Sequence, residues 1–221
     1  MDIITRAEWG AAPPRGTLLR VTWKVGGTLW LHHTVSAFIV PEGAEPSVSA
    51  GDLVWVGKSP PNMRTLGLRH PGKLFDAPVH GSDGRWRVYA HASAGKAKRA
   101  EWLANVTRTQ AAERRAMREI QAFHQRSRGW TDIGYAFVCF PSGRVYEGRG
   151  EHVGAHCPGH NSEPSVSLAG DYSTRKPTDK QRLSVSQLKS RIAAARLKGH
   201  RDGFPTSCPG DAAYRAFGLD R

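Results

Sequence analysis

The sequence predicts an α/β fold, a central mixed β-sheet flanked by helices, carrying a β-rich insertion. Three observations support this. Apolar runs of strand length alternate with longer stretches of helical period. A Pro-Ser-Gly turn at 141–143 joins two such runs as a hairpin. Residues 37–106 interrupt the alternation with closely spaced prolines and glycines around short β-like fragments.

Residues 28–33 (TLWLHH) read as a buried strand that ends in two histidines. Within 37–106 stand Pro41, Pro46, Pro60, Pro61, Pro71 and Pro78, with the fragments DLVWVG and RWRVYA between them. A structureless loop of that length is unusual inside a compact domain, so the stretch reads as an inserted β-rich subdomain or arm. From 107 to 126, Ala112, Ala116, Ile120 and Phe123 recur at helical steps. Thr107 with Gln110 is a capping-box signal, and Gly129 stands where that helix would stop. Residues 134–140 and 144–147 form the arms of the hairpin, and 165–169 a further strand. A second helix is expected over 179–196, with Val185, Leu188, Ile192 and Ala195 as its apolar stripe, and a last short one over 211–217. Trp9, Trp23 and Trp30 are expected in the core.

With 221 residues, 39% of them hydrophobic and 23% charged, the chain can build a core as one domain with elaborations, and global disorder is excluded. The net charge of +13 draws polyanions: nucleic acid, anionic lipid or acidic wall polymers. Residues 96–128 alone hold nine Lys or Arg against three Glu, either a solvated helix face or a polyanion-binding one. Charge alone supports nucleic acid, because no zinc-finger spacing or aromatic RNA-binding signature accompanies it. Cys139, Cys157 and Cys208 are too few and odd in number for a disulfide framework. No apolar run approaches the ~18 residues of a membrane span. The opening Met1-Asp2-Ile3-Ile4 lacks a basic leader, which predicts synthesis in a cytoplasm and release by other means.

His32, His200 and Cys208 are the residues best suited to a catalytic zinc, which takes three protein ligands and keeps an open position. Imidazole and thiolate suit zinc over magnesium or calcium. His200 and Cys208 are close in sequence across a turn with Pro205, while His32 must arrive from a separate strand. With ten histidines in the chain, satisfied structural histidines remain the alternative.

Several segments in order resemble one family. They are Arg6-Ala7-Glu8-Trp9-Gly10-Ala11, His32-His33-Thr34, the run HQRSRGWTDIGY at 124–135, and GRVYEGRG at 143–150. Gly154-Ala155-His156, Gly159-His160-Asn161, Gly170-Asp171-Tyr172, GHRD at 199–202 and T-x-C-P-G at 206–210 follow. This series resembles the amidase-2 family of peptidoglycan recognition proteins and T7-lysozyme-type phage endolysins, over about two-thirds of the chain and outside the insert. The resemblance implies that fold, one zinc held by His32, His200 and Cys208, and catalytic roles for Tyr135 and Thr206. Thr206 stands where recognition-protein amidases have threonine and T7-type enzymes have lysine, which places the chain nearer the former. His33, Thr34, His124, Arg128, Trp130, His156 and Asn161 are the implied muropeptide-binding residues.

The implied reaction is hydrolysis of the amide between N-acetylmuramic acid and L-alanine, by a monomer, with peptidoglycan as partner and phage lysis as the expected setting. Anionic wall polymers are a further expected contact; specific nucleic acid is not. No general base is evident. Tyr135 or His33 would relay the proton, and Asp202 would orient a ligand imidazole. The competing function is a module that binds peptidoglycan without cutting it. Such members usually lack the cysteine that Cys208 supplies here. Without the resemblance, Tyr135 would read as a packed core tyrosine, and His124 and Arg128 as a solvated helix end.

Overall fold

The computed structural model describes residues 1–34, 53–57, 78–89 and 110–220. Thr107 lies outside them, as do His70 and His91, which have no ligand-like spacing and read from the sequence as surface residues, and most of the predicted insert. The chain divides into two compact units, Met1–Val35 with Glu113–Arg221, and Ser36–Ala112. In chain order the strands are β1 (Ile3–Ile4), β2 (Thr28–His33), β3 (Leu53–Gly57), β4 (Val79–His80), β5 (Trp86–Tyr89), β6 (Phe137–Cys139), β7 (Val145–Glu147), β8 (Ser165–Leu168) and β9 (Arg196–Gly199). The helices are α1 (Arg6–Trp9), α2 (Gln110–Arg126), α3 (Asp179–Arg191) and α4 (Asp211–Ala216).

The first unit holds a six-stranded sheet in the order β1-β7-β6-β8-β2-β9. It is mixed: β6 and β7 form an antiparallel hairpin, and the remaining neighbours run parallel. β2 is buried along its whole length, as expected of a strand with parallel neighbours on both sides. The pleat sorts its side chains. Leu29 and Leu31 join Val166, Leu168, Phe137 and Cys139 in the core, under Val185 and Leu188 of α3. Each of these fully buried aliphatic side chains contributes roughly 1.5–3 kcal/mol. Trp30 and His32 point the other way, beside Ser165 and Ser167, to which they are registered on β8.

Four expectations need correction. The buried residues of α2 are Ala112, Glu113, Met117, Gln121, His124 and Gln125; of the expected stripe only Ala112 is among them, and Phe123 is 50% exposed. The helix is therefore rotated by about one residue from the apolar stripe, because polar partners select the buried face. The Glu113 carboxylate accepts from Ser142 Oγ (2.6 Å), Arg144 Nε (2.6 Å) and the Tyr146 hydroxyl (2.8 Å). Gln121 Nε2 donates to Ala12 O (2.9 Å) and Asp132 Oδ1 (2.7 Å). Second, α3 stops at Arg191, since Ala193 takes φ 51° and turns the chain into β9. Ala195 is consequently exposed. The start of α3 is set by a capping box between Thr178 and Gln181. Third, β6 begins at Phe137, so Tyr135 precedes the strand instead of lying in it. Ala136 N–H donates to Ser165 Oγ (3.0 Å) and Ala136 O accepts from Gly148 N–H (2.8 Å), which leaves Tyr135 in a loop beside the sheet end. Fourth, β8 and α4 each end one residue sooner than expected, at Leu168 and Ala216.

In the second unit, the fragments DLVWVG and RWRVYA supply β3 and β5 of a three-stranded antiparallel sheet, β3-β5-β4. Its β4–β5 turn is held by Arg87, whose guanidinium donates to Asp83 at 2.6 and 2.8 Å. That pairing keeps the Asp83 carboxyl below the ordinary carboxylate range.

Candidate functional site

Three separate segments meet beyond the end of β2. His32 arrives from that strand. His200 opens a short 3-10 turn, His200–Asp202, directly after β9, and Cys208 lies in the loop that follows. That loop is stapled shut: Arg201 N–H donates to Cys208 O (3.0 Å), and the Arg201 guanidinium donates to Ser207 O and to Asp211 (2.7 Å). One ligand atom each from His32, His200 and Cys208 lies within 4.8 Å of the other two. Cys208 Sγ is 3.7 Å from His32 Nδ1. Tetrahedral coordination at metal–nitrogen and metal–sulfur lengths of about 2.0 and 2.3 Å puts such a pair about 3.5 Å apart. His200 Nε2 is buried and has no hydrogen-bond partner among the described residues. A buried polar atom without a partner is costly unless something binds it, so the set fits a metal.

The electrostatics suit ligands. Burial first, then the neighbouring imidazoles of His156, His200 and His33, holds the His32 pKa well below its ordinary value. Burial likewise lowers His200. Both rings are neutral at pH 7 and able to coordinate. Burial pushes the Cys208 thiol up to about 12, against the opposing His33 N–H and Arg201, so the bare thiol keeps its proton. A bound cation reverses that preference, because a coordinating thiol is deprotonated.

Tyr135 flanks the cluster, its ring 5.4 Å from that of His32 and 5.5 Å from that of His124. Burial, with a smaller contribution from Cys208 when that thiol ionises, raises its phenol well above the ordinary value, so it is a hydrogen-bond donor throughout the neutral range. The segment carrying it is fixed by Arg149, which donates to Ile133 O, Val153 O and Asp132 O at 2.7–3.0 Å. Thr206 accepts from Cys208 N–H (3.2 Å), leaving its own hydroxyl hydrogen free to donate.

The remaining predicted residues divide. His124 lies between Tyr135 and Trp130, its ring centroid 4.7 Å from that of Trp130 with the planes tilted by 39°, and Gly134 N–H donates to His124 Nδ1 (3.1 Å). Arg128 is exposed and lies over Phe123. His33 points to the opposite side of the sheet from His32, where its Nδ1 accepts from Tyr172 N–H (3.2 Å). Thr34 Oγ1 accepts from Gly170 N–H (3.0 Å). His156 is buried against His32 itself, its Nδ1 3.2 Å from His32 Nε2. Asn161 Oδ1 accepts from the backbone N–H groups of His156 (2.8 Å) and Cys157 (2.9 Å). Asp202 touches no ligand imidazole. Its carboxylate accepts from Gly199 N–H (2.8 Å) and Tyr214 Oη (2.6 Å), and so anchors the turn that presents His200.

Glu163 was absent from the sequence expectations, and Arg149 and Arg201 stood in quoted motifs without a role. Glu163 Oε2 accepts from Trp30 Nε1 at 2.6 Å, across 133 residues of chain, and no local pattern signals such a bond.

No family model matches the chain. Among curated relatives, human N-acetylmuramoyl-L-alanine amidase is 43% identical over 108 residues, 44% of this chain and 19% of that protein. Peptidoglycan-recognition protein LB of Drosophila melanogaster is 42% identical over 110 residues, 45% of this chain and 47% of that one. Peptidoglycan recognition protein 1 of Bos taurus is 37% identical over 123 residues, 50% and 64% respectively. The chain thus spans less than two-thirds of the length of these relatives. Among solved structures, wild-type Drosophila PGRP-LB superposes with a TM-score of 0.59 at 22% identity, covering 99% of this chain and 91% of that one. Peptidoglycan recognition protein LE in complex with tracheal cytotoxin gives 0.60 at 22% identity, covering 96% and 90%.

Proposed function

The chain belongs to the family of N-acetylmuramoyl-L-alanine amidases and peptidoglycan recognition proteins, and from that premise we propose that it is a zinc amidase cutting between N-acetylmuramic acid and L-alanine. The observation that carries this is the convergence of His32, His200 and Cys208, with ligand atoms within 4.8 Å. Zinc held by these three residues would supply Lewis acidity and lower the pKa of a water to about 7. Tyr135 and Thr206 donate hydrogen bonds to the oxygen that gains charge as the amide carbonyl is attacked. Burial keeps the Tyr135 phenol protonated in the neutral range, which suits a donor. His124, Trp130, Arg128 and Thr34 are assigned to the muropeptide, and residues 37–106 to an arm carried by the same amidase domain.

The working place that fits is the bacterial wall, whose acidic polymers attract a chain of net charge +13, and phage lysis is the setting assigned to it. Among the described residues, no helix is long and apolar enough to cross a membrane. The test is elemental zinc content of the purified protein beside Cys208→Ser, with stem-peptide release from muropeptide measured on both. About one zinc per chain, stem-peptide release and its loss in the variant are expected. Binding of muropeptide with neither zinc nor cleavage, even after zinc is supplied, would reassign the chain as a recognition module.

A further inference from the structure

His156 does more than line a groove. We infer that it is a positioning residue that sets the tautomer of His32 and thereby aims the His32 Nδ1 lone pair at the metal. The inference rests on the metal assignment above, and on the hydrogen bonds of two rings. His156 Nε2 lies 3.1 Å from Glu163 O, and His156 Nδ1 lies 3.2 Å from His32 Nε2. A carbonyl oxygen can only accept, so the His156 proton sits on Nε2 and its Nδ1 is left as an acceptor. His32 Nε2 must then carry the hydrogen it donates to His156. The unprotonated Nδ1 of His32 is the nitrogen that faces Cys208 Sγ at 3.7 Å. Glu163 O, His156 and His32 thus form a one-way relay that ends at the metal position. A metal-bound histidine usually finds a carboxylate, a carbonyl or water for its second nitrogen; in this chain a second imidazole takes that place.

The relay is built into the fold. Glu163 is fixed through its side chain, where Oε2 accepts from Trp30 Nε1 (2.6 Å) and lies 2.9 Å from His160 Nδ1. Trp30 and His32 are two residues apart on one face of β2, so the 154–163 loop is tied to the same strand at both points. The Asn161 side chain holds the His156 backbone from the other side. Gly154 makes room for the ring: a Cβ there would stand 2.5 Å from His156 Cδ2 and 3.0 Å from Gly134 O. These contacts explain how a loop residue can be placed accurately enough to orient a ligand.

Two measurements decide it. Nitrogen-15 spectra of the histidine rings in the metal-free protein should show His32 protonated at Nε2 and His156 at Nε2. A proton on His32 Nδ1 would overturn the relay, whether or not zinc later binds. Zinc affinity, read by competition with a chelating dye, should fall about 10–100-fold in His156→Leu, the range for losing such an outer contact. It should recover in His156→Asn, whose amide oxygen can replace the Nδ1 acceptor. Equal affinity in wild type and His156→Leu would refute the role. Uptake of no zinc by the wild type would sink the metal assignment instead, with the tautomer still decided by the spectra.

Discussion

Replacing Glu113 by alanine tests whether α2 is oriented by buried polar bonds instead of by its apolar stripe. Glu113 and Tyr146 are both fully buried. The carboxylate accepts from Ser142 (2.6 Å), Tyr146 (2.8 Å) and two nitrogens of Arg144 (2.6 and 3.2 Å). Truncation removes all four bonds and leaves the Tyr146 hydroxyl in a dry site. Breaking a buried charge pair costs about 3–5 kcal/mol. The Arg144 side chain is 37% exposed and can turn to water, which favours the lower figure. A loss of about 3 kcal/mol lowers the melting temperature by roughly 6–12 °C in a protein of this size. Urea denaturation followed by tryptophan fluorescence gives the free energy, and zinc content checks that the His32, His200 and Cys208 cluster survives. Phe123→Ala, on the expected stripe but 50% exposed, should cost under about 1 kcal/mol in the same assay. If Glu113→Ala costs less than Phe123→Ala, the buried polar bonds do not set the orientation of α2.

Tyr135→Phe should lower kcat about 10²–10³-fold while zinc content is unchanged, because it removes one donor and no ligand; loss of zinc would show that the ring has a structural role instead. Acidification should destabilise the fold. Burial holds His124 at about 4, below its ordinary 6.5, so the unfolded chain binds the extra proton between those values. Stability is therefore complete above pH ~6.5 and falls as pH drops toward ~4, by up to about 3 kcal/mol from this group, and a His124→Gln variant should show a shallower acid limb in urea titrations. Gly154→Ala should weaken zinc binding in the dye assay, since the added methyl would collide with the His156 ring; unchanged affinity would mean that the loop adjusts freely. Chelation of zinc should lower the thermal midpoint, and re-addition should restore it, as expected for a ligand that binds only the folded state.

Much of the fold could be read from local pattern. TLWLHH is a buried strand because its apolar run is short and continuous. The Pro-Ser-Gly turn pairs Phe137–Cys139 with Val145–Glu147 because strand propensity and turn chemistry agree there. The candidate donor types were legible too: two imidazoles and a thiol stand in ordered motifs, and the structure brings the three together. Pattern could not rotate α2, because Glu113, Gln121, His124 and Gln125 are buried while Phe123 of its apolar stripe is half exposed. Glu113 and Gln121 look like solvent-facing residues until Tyr146 and Asp132 arrive from elsewhere in the chain.

The sequence by itself determined which residues can do chemistry and roughly which elements carry them, since period and residue type are local properties. The choice of His32 over His33 came from the family resemblance, and only the tertiary structure gave its physical reason. The pleat sends neighbours to opposite faces, so the register of β2 on β8 puts one in the ligand cluster and the other against Tyr172. It also brought His156 against His32 from 124 residues away, and Glu163 against Trp30 from 133. Bonds across such separations leave no periodic trace, because their geometry exists only once the sheet has been assembled.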